Sequence, residues 1–258
     1  MRARWITSFL TVVSLGLAAT PAAAATARGI DRACPPDEVP EDGFTDVPPT
    51  NGHEAAVDCV VWWKVALGRS PSTYDPGAAV QRGEMASFLA RLILEAGGEL
   101  PSTERAPDAF TDDNGSTHET TTNQLAAAGV VAGTGGGRFD PAGSVTRAQM
   151  ASFLVQALEY RTGTGLPAGP DAFADDNGTT HEVNINKAAA AGLTGGTASG
   201  GYDGDLPIRR DQLASFLARS LDLLVEQGWA ARPGVAYIEP THGDVCDPET
   251  GQCRAVPL

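Results

Sequence analysis

The apolar and polar positions of this chain form a pattern that recurs. From Met150 the apolar residues run Met150, Phe153, Leu154, Ala157 and Leu158, the i, i+3, i+4, i+7, i+8 stripe of a helix with one buried face. Met85, Phe88, Leu89, Leu92 and Ile93 repeat it, and Leu213, Phe216, Leu217 and Leu221 repeat it again. A shorter helix is predicted before each stripe, opening at a His-Glu pair. In "HETTTNQLAAAGV" the acid stands in the first turn, where the positive end of a helix favours it, and Gly129 stands where a left-handed cap is expected. Lys64 replaces that glycine in the first copy, a departure costing about 1 kcal/mol if the position is left-handed.

The copies align on Phe44, Phe110 and Phe173 and coincide without gaps from His53, His118 and His181 onward. Gly68, Gly133 and Gly196 follow, then Tyr74, Phe139 and Tyr202, then Arg82, Arg147 and Arg210, with 29 residues from His to Arg each time. A loop of fixed length has a defined shape, since a mere tether tolerates insertion at little entropic cost. The Gly/Pro-rich connectors "EAGGELPSTERAP" and "RTGTGLPAGP" differ in length and mark the breaks between copies. A unit of this size with two short helices buries too little surface alone, so three should share one core.

Composition adds a compartment. The start "MRARWITSFLTVVSLGLAATPAAAA" carries Arg2 and Arg4, an apolar run and small residues, the layout of an export signal over residues 1–25. The alternative, a retained anchor, suffers from a run shorter than the ~20 residues that span a bilayer. The net charge of −14 deepens to −16 once those two arginines leave, with 16 basic against 32 acidic residues. Such a surface disfavours nucleic acid and anionic lipid, and no membrane insertion is expected after signal cleavage. The four cysteines of an exported chain are expected to pair, Cys246 with Cys253 around "DPETGQ" and Cys34 with Cys59, the latter pinning the extension at 26–43 to the first helix.

Each stripe begins with an arginine, in "VQRGEMASFL", "VTRAQMASFL" and "IRRDQLASFL", where the helix dipole already presents positive charge. A guanidinium beside uncapped amide hydrogens suits a bound carboxylate better than it suits the helix. The alternative is structural: each arginine bonds a carbonyl or a local acid such as Asp75, Asp140 or Asp203.

Taken together, Phe-x-Asp, then His, a helix ending Gly-Val or Gly-Leu, Gly…(Phe/Tyr)-Asp-Pro and (Thr)-Arg-x-(Glu/Gln)-Met-Ala-x-Phe-Leu resemble the S-layer homology (SLH) repeat. The resemblance covers residues 44–100, 108–163 and 171–225 and leaves a tail at 226–258. It implies a mainly α fold, three helix-loop-helix repeats packed as a pseudo-threefold spindle, with a small irregular or β tail. It also implies a secreted, non-enzymatic, cell-surface module that binds a cell-wall polysaccharide or peptidoglycan-linked polymer, often pyruvylated, in grooves between repeats. Arg82, Arg147 and Arg210, with the loop glycines Gly133 and Gly135, mark those grooves by position. The third copy departs most, with Arg209 for the threonine and Gly204 for the proline. The rival is a module that binds a protein partner and no glycan.

Other features carry less. In the "DDNG" turns, placing the glycine at the sixth position of a calcium loop puts Phe110 or Phe173 at the first, so no metal site is expected. The His-Glu pairs lack the second histidine of a zinc protease, and "GTGGGRF" lacks the Gly-Lys-Ser/Thr of a phosphate loop. Trp62 and Trp63 stand where the other copies have alanines, suited to stacking on sugar or to packing. No nucleophile triad, carboxylate pair or cofactor motif stands out.

Overall fold

The computed structural model describes residues 26–234, together with the backbone of 244–246 and 253–255. The expected export signal lies outside the described residues. The fold is mainly α, with six helices: α1 (Glu54–Trp62), α2 (Arg82–Glu95), α3 (Glu119–Ala127), α4 (Arg147–Thr162), α5 (Glu182–Ala190) and α6 (Arg210–Glu226). A short antiparallel pair, β1 (Asp244–Cys246) and β2 (Cys253–Ala255), lies in the tail and sets positions 246 and 253 opposite each other. The side chains of Cys246 and Cys253, and so the bond expected between them, lie outside the described residues.

The first helix of each pair ends alike. Gly129 (φ 72°) and Gly192 (φ 73°) are left-handed, and their following residues donate back five positions, Val130 to Leu125 and Leu193 to Ala188, closing a Schellman cap. Lys64 takes the same conformation at φ 59°, with Val65 donating to Val60, so the first unit adopts the motif without its glycine.

The second helix of each unit packs on the first helix of the next: α2 on α3, α4 on α5 and α6 on α1. This closes a ring. Its axis is a cyclic set of backbone hydrogen bonds from Val80 to Ile208, Ile208 to Val145 and Val145 to Val80, at 3.0, 2.9 and 2.9 Å. All three residues are fully buried, so every donor on the axis finds its acceptor in a neighbouring unit. Around it, Phe44, Phe110 and Phe173 each tilt against the aromatic of their own unit, Tyr74, Phe139 and Tyr202, at 5.5, 5.1 and 5.4 Å between ring centres.

Residues 26–43 strap the ring shut between its first and third units. Cys34 is bonded to Cys59 on α1, as expected, and the indole of Trp63 donates to the Ala33 carbonyl. On the other side Arg28 pairs with Asp222 and Glu226 of α6, and the amides of Arg32 and Ala33 donate to Asp222.

Candidate functional site

Arg82, Arg147 and Arg210 occupy one environment three times over. Each is at least nine-tenths buried and crosses to the next unit. Arg82 donates through Nε to the Phe139 carbonyl and through a terminal nitrogen to Ala132. Arg147 donates through Nε to Tyr202, and Arg210 to Tyr74 and Leu67. Each guanidinium also lies over two rings of that next unit: Arg82 on Phe139 and Phe153, Arg147 on Tyr202 and Phe216, Arg210 on Tyr74 and Phe88. Burial lowers the pKa of Arg82 and Arg210, but an arginine remains charged in the physiological range. The three arginines therefore latch the ring together.

The first-turn amides beside them are not free. The N–H groups of Arg82 and Gly83 donate to Gly143 and Pro141, those of Arg147 and Ala148 to Leu206 and Gly204, and those of Arg210 and Asp211 to Ala78 and Pro76. This corrects the expectation of uncapped helix ends: the neighbouring loop supplies the acceptors, which a helix terminus buried at an interface requires. Thr146 caps α4 by accepting from the Gln149 amide and donates its own amide to the Gln149 side chain, and the amides of Gln81 and Arg209 donate likewise to the side chains of Glu84 and Gln212.

The fixed loop length has a cause in the Phe-x-Asp turns. Asp46, Asp112 and Asp175 each accept the amides of the aromatic-Asp pair, Tyr74–Asp75, Phe139–Asp140 and Tyr202–Asp203. Those second aspartates are left-handed, at φ 64°, 60° and 54°. The amide bonds hold all three carboxyls below the usual range, overcoming partial burial at Asp46 and Asp175. The His-Glu histidines are interface struts: His53, His118 and His181 bond Ser215, Ser87 and Ser152 through Nδ1 at 2.8 Å, and burial lowers their pKa values, keeping them neutral at pH 7.

One latch arginine also reaches open space. Arg210 lines a groove of about 580 Å³ with Gly68, Arg69, Ser87, Arg91 and His118. Arg69 pairs with Asp75 and Glu84, and Arg210 lies 3.8 Å from Glu84. Among the described residues no ion pair engages Arg91. Neither Arg69 nor Arg91 stands out from the repeat pattern, because the other copies have Thr134 and Thr197 at one position and Gln156 and Arg219 at the other. Gly68 is fixed by packing, since an added Cβ would sit 2.4 Å from Phe44, and its counterpart Gly133 is fixed likewise against Phe110 and the Arg138 carbonyl. Gly135 is left-handed with open space about it. Trp63 is buried beneath the strap and Trp62 packs half-buried on the core; neither lines this groove.

A second groove, of about 360 Å³, lies between the second and third units and is acidic, with Asp175, Asp176, Asp203 and Asp205 on its wall. Among the described residues no cluster of three or more His, Cys, Asp or Glu is arranged to hold a metal ion, and no helix is long and apolar enough to cross a membrane.

Comparison with known proteins places the middle of the chain. Residues 109–151, from the Phe110 turn through α3 and the loop into α4, match the S-layer homology domain. An S-layer protein of Bacillus thuringiensis subsp. finitimus is 26% identical over 179 residues, 69% of this chain and 21% of that protein. An uncharacterized cell wall amidase of Bacillus anthracis is 28% identical over 190 residues, 72% and 34% of the respective lengths. An endoglucanase of Bacillus sp. (strain KSM-635) is 27% identical over 183 residues, 69% and 18%. The chain thus spans only about a fifth to a third of the length of these relatives.

Proposed function

We propose that all three helix pairs are S-layer homology repeats and that the chain is a cell-surface module attaching non-covalently to an anionic cell-wall polymer, pyruvylated polymers included. What the relatives share is a stretch of similar size in proteins described as an S-layer protein, an amidase and an endoglucanase. A stretch common to proteins of such different description serves attachment, and the chain acts as a binder rather than an enzyme.

The observation that carries the ligand class is the first groove. On a chain of net charge −14, Arg69, Arg91 and Arg210 line that groove with Glu84 as the one acid on its wall and Asp75 paired to Arg69 beside it. A pocket of this volume suits one or two sugar residues, and guanidinium groups suit a carboxylate. Arg210 is fixed by its carbonyl bonds and rings, so it supplies rigid charge, while Arg69 and Arg91 supply the adaptable contacts. In Arg82 and Arg147 the same latch serves chiefly to set the spacing of the loops.

The test is retention of the mature protein on purified wall sacculi. The double variant Arg69→Ala/Arg91→Ala leaves the latches intact and is expected to lose at least about tenfold in affinity, with a weakened salt dependence. Undiminished retention would remove this groove from the mechanism. Retention lost together with capture of one stoichiometric protein partner in place of wall material would favour the scaffold reading.

A further inference from the structure

We infer that the groove between the second and third units binds a primary ammonium group, with Asp176 and Asp205 as its acceptors. Asp176 is only 3% exposed, lies on the groove wall, and has no hydrogen-bond partner on either carboxylate oxygen. Its neighbours are already engaged: Asp175 holds the amides of Tyr202 and Asp203, and Asp203 accepts from the hydroxyls of Thr197 and Ser199. No lysine or arginine lines the groove. Arg147, whose charge acts on Asp175, is held to the Tyr202 carbonyl between the rings of Tyr202 and Phe216, and His181 is tied to Ser152 and neutral at pH 7.

Asp113 of the second unit is the counterpart of Asp176 and is equally buried and unpartnered, but what surrounds it differs. Asp205 stands where the other units have Ala142 and Gly77, and Gly201 stands where the second unit has Arg138, which there lies 3.5 Å from Asp112. Relative to the second unit, the third has therefore gained an anion and lost a cation around this groove. Burial, with Asp171, Glu182 and Asp175 nearby, pushes Asp176 up to about 6, a penalty that an incoming cation relieves. Among the described residues no three acids are arranged to chelate a metal, whereas an ammonium needs only two or three separate acceptors. Ile185 and the half-exposed Leu206 offer apolar surface to the carbon stem. Such an ammonium belongs either to an unacetylated amino sugar or to a peptide amine. The inference does not rest on the anion reading of the first groove, and either can fail without the other.

The experiment is an NMR titration of the mature protein near pH 7 with a glucosamine tetrasaccharide and its fully N-acetylated counterpart, and in a second arm with the peptide Ala-Lys-Ala and its Nζ-acetylated form. Saturable shifts at Asp176, Asp205 and Leu206 are expected from the free amine in at least one arm and from neither acetylated form; the arm that binds identifies the source. Asp176→Asn is expected to weaken binding about tenfold, and Asp205→Asn, at an exposed position, gives the same reading without risk to the fold. Equal binding of amine and acetylated probes, no saturable binding in either arm, unchanged affinity in both variants, or displacement of the amine by calcium at matched ionic strength would each overturn the inference.

Discussion

Asp176 also sets how stability should vary with pH. In the first unit the corresponding residue is Val47, buried at 5% exposure, so the position accepts an apolar side chain. A carboxyl raised from 3.8 to about 6 is more readily protonated in the folded than in the unfolded chain. Between those values the folded state binds more protons, so stability falls as pH rises through the window and stays low above it. With 1.36 kcal/mol for each pKa unit, moving from pH ~4 to pH ~7.5 costs the wild type about 2 kcal/mol through this one group. The carboxyl lies close beneath the surface, which keeps the figure at the modest end. Asp176→Asn has no such titration. Urea unfolding of both proteins at the two pH values isolates the effect, because groups common to both cancel. The variant is expected to gain about 2 kcal/mol on the wild type at pH ~7.5 relative to their difference at pH ~4. A difference independent of pH would refute the reasoning and mean that Asp176 ionises as freely in the fold as out of it.

Arg82→Ala removes a buried guanidinium that bonds two carbonyls and covers two rings, and should cost about 2–4 kcal/mol, read as a fall in the unfolding midpoint. Arg82→Lys should recover little of it, because an ammonium cannot bond both carbonyls while lying flat on both rings. Replacing Cys34 and Cys59 together by alanine frees a separation of 25 residues and should lower stability by about 3 kcal/mol in denaturant unfolding, with hydrogen exchange quickening first in the strap.

The sequence shows the helix pairs because their signals are local: the 3.6-residue stripe, the cap positions and the aspartates that fix loop length all act within one unit. Lys64 is an instructive exception, since its side chain hides a left-handed cap that only alignment with Gly129 and Gly192 reveals. The arginines are visible but ambiguous, because an unusual charge at a helix start has the same pattern whether its partner is a ligand or the next unit. What decides is closure of the ring, which sends each guanidinium and each first-turn amide into a neighbour's loop, and no spacing within one copy encodes that. The two grooves were hidden for the opposite reason. Arg69 and Asp205 break the repeat and Arg91 recurs only as Arg219, and an alignment of copies discards such residues as noise. In a ring whose shared positions are largely consumed by holding the units together, the lining of each groove is also tuned where the copies differ, which leaves arginines along one groove and aspartates along the other.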